Sequence, residues 1–398
     1  MNDASPGSDL LTDILAVESA AGRLEGAFLA DPELGRMWRA QMVLSEVCRS
    51  VGLEDIHLFE GDLVMRGFEN RNTSLATARG ALHGAELMRV MARPGDLRAD
   101  PVAVLTRCLR AGFAEDRALD QEGQGAEWPD LVALAPGIVG EIDAAPTPVL
   151  AAIRAAAHLR MATAAQLPAA ERLLFIAVDH ASRLPHQRDH ATTEETGVAP
   201  LLGQIRASWV LLPSMAMTAQ GFRAWSPGSA RGIRDLLAGL RIESGRALGQ
   251  LPLLRRWRDR ARQLAADQPG KSHLDDLVTL AIHQPILTGS GIAEALGVTD
   301  RTARNLVDKA VDARLLAPIT GRRSYRAWAP LPMAERLRMR NPISERPRST
   351  RPDPTEADLR VGHESDAAGQ GDAMAELDAA LAQADEILGR YRPVTLRE

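Results

Sequence analysis

Arg301, Arg304 and Asn305 carry the side chains best suited to reading nucleobases. A guanidinium can bond the O6 and N7 edge of guanine, and an asparagine amide the N6 and N7 edge of adenine. Positions 301, 304, 305 and 308 share one side of an α-helix. Thr302 falls at the margin of that side, and Thr299 at the start of the segment. About twenty residues on stand Arg322, Arg323 and Arg326. Clustered guanidinium groups beside a base-reading helix would lie against phosphates or a minor groove.

The surrounding elements are those such chemistry needs. Leu274, Leu277, Val278, Ala281 and Ile282 form one apolar stripe, a first helix that Pro285 stops. Thr288 can cap a second helix with apolar positions Ile292, Ala293 and Leu296. Gly297 supplies the left-handed conformation of a sharp turn. Val298 plugs the core. Thr299 can cap a third helix running to about Arg314, with Ala303, Leu306, Val307 and Ala310 inward. Asp300, Arg301, Arg304, Asn305 and Asp308 are left outward. Ala317 to Trp328 reads strand, turn, strand, with Thr320-Gly321-Arg322-Arg323 at the tip. Capping residue, turn glycine, core spacing and hairpin agree on a winged helix-turn-helix over residues 272–330. The later helix of the helix-turn-helix pair, here the third helix, enters the major groove.

Composition bounds the rest. The 398 residues carry a net charge of −5, so positive charge must be local. Thr299 to Trp328 supplies it, with seven Arg or Lys against three Asp. Aromatics are 4% of the chain, which calls for aliphatic, Leu- and Ala-rich helical cores. The expected fold is mainly α: an N-terminal helical domain at 10–115, a boundary punctuated by Pro129, Pro136, Pro146 and Pro148, and a central helical domain at 149–266. Within it, Ala230 to Ala266 reads as one long basic helix ending in Arg255, Arg256, Arg258, Arg260 and Arg262. Such a run is usually a solvated face. Ile56 to Phe59 and Leu63 to Met65, flanking Glu60-Gly61-Asp62, read as a small β-hairpin. Residues 341–370, with Pro342, Pro347, Pro352 and Pro354, read as a disordered linker. Residues 372–391 read as a short amphipathic helix.

Other constellations fall short. Gly270-Lys271-Ser272 resembles the end of a phosphate loop, but the position needing the first glycine is Ala265. His180, His186 and His190 form one histidine cluster, with His186 and His190 in a loop-like segment after Pro185. Cys48 and Cys108 sit in apolar helical stretches and suit a reducing cytoplasm as buried thiols. No signal peptide, membrane span, cofactor or metal site is expected.

Leu251 to Pro330, from Leu-Pro-Leu-Leu-Arg-Arg-Trp through Thr-Gly-Arg-Arg-Ser-Tyr-Arg-Ala-Trp, resembles the winged helix appended to many bacterial Fic proteins. The chain up to Pro330 resembles a bacterial family in which a helical domain of unassigned function precedes a helix-turn-helix DNA-binding domain. Asn70 to Val90, with Leu75-Ala76-Thr77-Ala78-Arg79-Gly80-Ala81-Leu82 within it, resembles that family's N-terminal half. The likeness implies DNA binding and no assigned catalysis. The loop of a Fic enzyme is missing: in His57-Leu58-Phe59-Glu60-Gly61-Asp62 the acid and glycine are out of register, and no Asn-Gly-Arg follows.

The expectation is a cytoplasmic, non-enzymatic regulator of transcription or a replicon. It would bind double-stranded DNA as a homodimer through Thr299, Arg301, Thr302, Arg304, Asn305, Arg322, Arg323 and Arg326. The alternative is a Fic-derived or scaffold protein that uses the winged helix to dock a protein.

Overall fold

The computed structural model describes residues 6–65, 75–112, 129–183, 198–205, 209–219, 230–267, 272–320 and 326–340. Fifteen described helices run in order. They are α1 (Pro6–Ala30), α2 (Pro32–Gly52), α3 (Glu60–Met65), α4 (Leu75–Ala92), α5 (Pro101–Gly112), α6 (Leu131–Ala144), α7 (Pro148–Ala162), α8 (Pro168–Arg183), α9 (Val198–Gly203), α10 (Pro213–Ala219), α11 (Ala230–Ala266), α12 (Leu274–His283), α13 (Gly289–Leu296), α14 (Asp300–Asp312) and α15 (Leu331–Arg340). Three short strands, β1 (Leu287–Thr288), β2 (Leu316–Pro318) and β3 (Ala327–Pro330), complete the described elements. The fold is mainly α, with a C-terminal helix-turn-helix and a small sheet. Among the described residues no helix is long and apolar enough to cross a membrane.

The core is aliphatic, as the composition demands. Helices of both expected helical blocks share it: α7 lies on α8, α1 on α11, α5 on α8, and α2 on α4. Among the buried aromatics, three rings gather in one group. Phe28, Trp38 and Trp209 stack with ring centroids 5.0 and 5.9 Å apart. Trp209 opens the run Trp209 to Leu212, buried throughout, and donates its indole N–H to the Met91 carbonyl at 3.0 Å. That hydrogen bond lets a polar ring lie fully inside. Cys48 and Cys108 are free and buried. Burial pushes the Cys108 thiol up to about 12, which makes it inert.

Buried polar groups staple the helices. Glu46 is fully enclosed and accepts the N–H groups of Ser214 (2.9 Å) and Met215 (3.1 Å), the first turn of α10. Arg183 joins Asp179 on its own helix to Glu18 on α1, at 2.7 and 2.8 Å. Each buried charge is paired or hydrogen-bonded, as low dielectric requires.

Local structure departs from expectation at three places. The hairpin expected around Glu60 is instead the short helix α3. Its carboxylate is 1% exposed and bonded to Ser45 and to Arg336, so it cannot sit at a solvated turn. Leu63 and Val64 are adjacent and both buried, which an alternating strand does not allow. Pro136 lies inside α6 rather than ending it. The ring is on the exposed side, where water can satisfy the carbonyl it frees. Pro148 starts α7 at a position that needs no N–H, behind the Thr147 cap. His180 is buried on α8. His186, His190, the 341–370 linker and the 372–391 helix lie outside the described residues.

Candidate nucleic-acid interface

α12 buries Leu274, Leu277, Val278, Ala281 and Ile282, the stripe the sequence spaced for it. Thr288 accepts the Gly291 N–H at 3.1 Å and starts α13. α13 ends at Gly297, whose φ of 61° is left-handed. A Cβ there would meet nothing within 4 Å, so the glycine is needed for its backbone alone. Thr299 accepts the Thr302 N–H at 3.2 Å and starts α14. Ala303, Leu306, Val307 and Ala310 are buried below it.

The opposite side of α14 is open. Asp300, Arg301, Arg304, Asn305, Asp308, Lys309 and Asp312 are exposed. The helix packs on α12, α13 and β2 and makes no comparable packing with the helices before α12. The Thr302 hydroxyl lies 3.0 Å from that of Thr299, so both threonines are engaged in the cap. Thr302 is half-buried. Sequence reading placed the guanidinium pair correctly on the solvent side, and passed over Lys309 on that same surface.

A three-stranded antiparallel sheet of order β1-β3-β2 follows. Trp328 of β3 sits between Leu287 of β1 and Pro318 of β2. All four β3 residues are buried, so the strand pair is anchored in the core. The Thr320 hydroxyl accepts the Ala327 N–H at 3.0 Å and closes the base of the hairpin. Arg326 is exposed at that base. Arg322 and Arg323 lie outside the described residues.

Part of the basic run on α11 is structural. Arg258 pairs with Asp31, and Arg262 donates to Glu33 at 2.6 Å. Arg260 donates to the Ala313 carbonyl at 3.3 Å, just past α14. Trp257, between these arginines, donates to the Leu315 carbonyl at 2.8 Å. A lone tryptophan in a basic stretch was the signal for this strut.

Residues 274–331 match the family model described as an HTH DNA binding domain. The match begins at the first residue of α12 and ends as α15 begins. The chain thus carries a helix-turn-helix domain of a DNA-binding family. No curated protein matches the chain.

Proposed function

We propose that the protein is a sequence-specific DNA-binding regulator, of transcription or of a replicon, that acts in the cytoplasm without catalysis. One observation carries this reading: the side of α14 bearing Arg301, Arg304 and Asn305 is exposed, while the other side is the core of the motif. These side chains read base edges in the major groove. Arg322, Arg323 and Arg326 hold the sugar–phosphate backbone. Thr299 and Thr302 set the first turn of α14 so that its N–H groups face the phosphates.

A single helix-turn-helix reads few base pairs, so a homodimer on a two-fold site is part of the reading. α1 offers a surface for it. Leu11, Leu15 and Leu29 are each more than half exposed and line up with Gly22 and Gly26 on one side, with Glu18 and Glu25 along its edge. A Cβ at either glycine would meet nothing within 4 Å, so no packing among the described residues calls for them. Glycines in mid-helix are destabilising unless something approaches closely. A second copy of the chain is the occupant that a two-fold DNA site calls for.

The absence of catalysis is supported by Glu60. Of the two acids in the Fic-like stretch, Glu60 is committed to Ser45 and Arg336. Protein docking is the second reading, favoured by Asp300, Asp308 and Asp312 on the same exposed side. Retention of genomic DNA fragments by the full chain, followed by sequencing of what is retained, separates the two. The reading requires enrichment of defined sequences, lost in an Arg301→Ala/Arg304→Ala/Arg323→Ala variant. Equal retention by both proteins sinks it.

A further inference from the structure

A cavity of about 240 Å³ opens where α2, α10, α11 and α15 meet. Three guanidinium groups line it: Arg49 from α2, Arg246 from α11 and Arg336 from α15. Among the described residues that line the cavity the one carboxylate is Glu243, and it is paired with Arg246. Arg336 is held from behind by Glu60 at 2.9 Å. Arg49 is exposed, and its guanidinium makes no hydrogen bond or ion pair among the described residues. The cavity thus has excess positive charge and one uncommitted guanidinium.

Its wall also holds an unmet acceptor. The Gln250 Oε1 is buried and has no hydrogen-bond partner among the described residues. A buried amide oxygen without a donor is costly, and a ligand that supplies one removes the cost. The occupant therefore needs two features: a negative group for the arginines and a hydroxyl or N–H for Gln250. The volume is below that of a drug-sized site, which sets the occupant as a small metabolite. Planar forks of this kind recognise carboxylate and phosphate oxygens by paired hydrogen bonds.

The location gives the cavity a consequence. α11 leads into α12 and α15 follows β3, so two of its walls are the elements at either end of the helix-turn-helix. The other two belong to the helical body. A ligand bridging Arg49, Arg246 and Arg336 would tie the body to both ends of that domain. It would also draw on the guanidinium that now holds Glu60. Any difference in ligand affinity between two placements of the domain becomes an equal difference in DNA affinity.

We propose that this cavity binds a small hydroxylated or N–H-bearing organic anion, a carboxylate or a phosphate ester, which acts as effector. Binding stands on the cavity alone, and the regulatory part rests on the DNA-binding reading above.

The test uses the full chain and three probes at matched ionic strength. Malate and glycerol 3-phosphate carry anion and hydroxyl, and succinate lacks the hydroxyl. Malate or glycerol 3-phosphate raises the melting temperature by a few degrees, and which of them does so separates a carboxylate source from a phosphate source. Succinate binds more weakly. An Arg49→Ala/Arg246→Ala variant, altered at two exposed positions, loses about tenfold or more in affinity. An Arg301→Ala/Arg304→Ala variant keeps the full shift, because its missing charges lie on α14. No shift from either hydroxylated probe overturns the site. So does an equal shift in the Arg49/Arg246 variant, which would put the anion elsewhere. DNA retention measured with and without the effective probe tests regulation. An unchanged retention overturns the effector role while leaving binding in place, and a protein that binds the probe but retains no DNA refutes the DNA reading instead.

Discussion

Trp257 on α11 donates its indole N–H to the carbonyl of Leu315, 58 residues later, at 2.8 Å. Leu315 is the last of the three residues between α14 and β2, so a helix outside the matched domain holds the junction of α14 and the sheet. Both partners are buried. Arg260 adds a second hold, at Ala313, on the same junction. The orientation of α14 is therefore fixed from the body side, and a chain cut before residue 272 would lose it.

Trp257→Phe keeps most of the ring's packing and removes the donor. The Leu315 carbonyl is then buried and unpaired, which costs about 1–3 kcal/mol. Urea unfolding of the full chain should show a lower midpoint with an unchanged slope. A variant as stable as wild type would mean that water replaces the indole and that the strut is dispensable.

Arg304→Ala and Arg323→Ala should fail in different ways. Loss of a base contact lowers affinity for the preferred sequence by about 1–3 kcal/mol and leaves other sequences nearly unaffected. Loss of a phosphate contact weakens all sequences alike and reduces the salt dependence by about one unit of log–log slope. Titrations of specific and scrambled duplexes at several salt concentrations distinguish these patterns. Identical patterns for the two variants would remove the division between base-reading helix and backbone-holding hairpin.

Gly297→Ala isolates a conformational cost. The space around Gly297 is open, so the added methyl meets nothing. The penalty is that of a left-handed non-glycine residue, about 1 kcal/mol. Asparagine tolerates that region better, so Gly297→Asn should lose less. Thermal unfolding ranks the three proteins. An alanine variant equal to wild type would mean that the turn between α13 and α14 has a second conformation of equal energy.

These local features explain why the domain was legible in sequence. Thr288, Gly297 and Thr299 act on groups three or four residues away, and the stripes of α12 and α14 follow helical spacing. α11 was legible for the same reason, and it runs on through Pro252, which lies inside it. Glu60 was misread because its partner, Arg336, lies 276 residues away. Without that partner, Glu60-Gly61-Asp62 has the composition of a turn. The basic run on α11 is the exposed face expected at Arg255, Arg256, Arg260 and Arg262, but its ion pairs were not legible. Asp31 and Glu33 absorb Arg258 and Arg262 across more than 220 residues, and no local pattern encodes such pairs. On the candidate interface itself, side-chain identity and exposure followed from periodicity. The hold exerted by Trp257 and Arg260 did not, because it depends on tertiary packing.

The Asp31–Arg258 pair gives stability a defined dependence on acid. Asp31 caps α2 by accepting the Leu34 N–H at 3.1 Å and also bonds Arg258. Burial alone would raise its carboxyl. The hydrogen bonds from Arg258 and Leu34 and the nearby Arg255 outweigh burial and hold it below the ordinary aspartate range. Arg258 also faces Glu33 at 3.8 Å and Asp259 at 3.2 Å, so Asp31 shares it with two other carboxylates. A depressed folded value means stabilisation that is complete above the unfolded value, near pH 4, and lost as pH falls through the folded one. Asp31→Asn keeps an oxygen for the cap and removes the charge. At about pH 7 it should be less stable by roughly 0.5–1 kcal/mol, the size of a partly exposed ion pair. The gap should begin to close below about pH 4 and disappear once the wild-type carboxyl is protonated. Urea midpoints of both proteins across that range measure it. A gap that stays constant into acid would show that Asp31 acts through its cap geometry alone, with no contribution from Arg258.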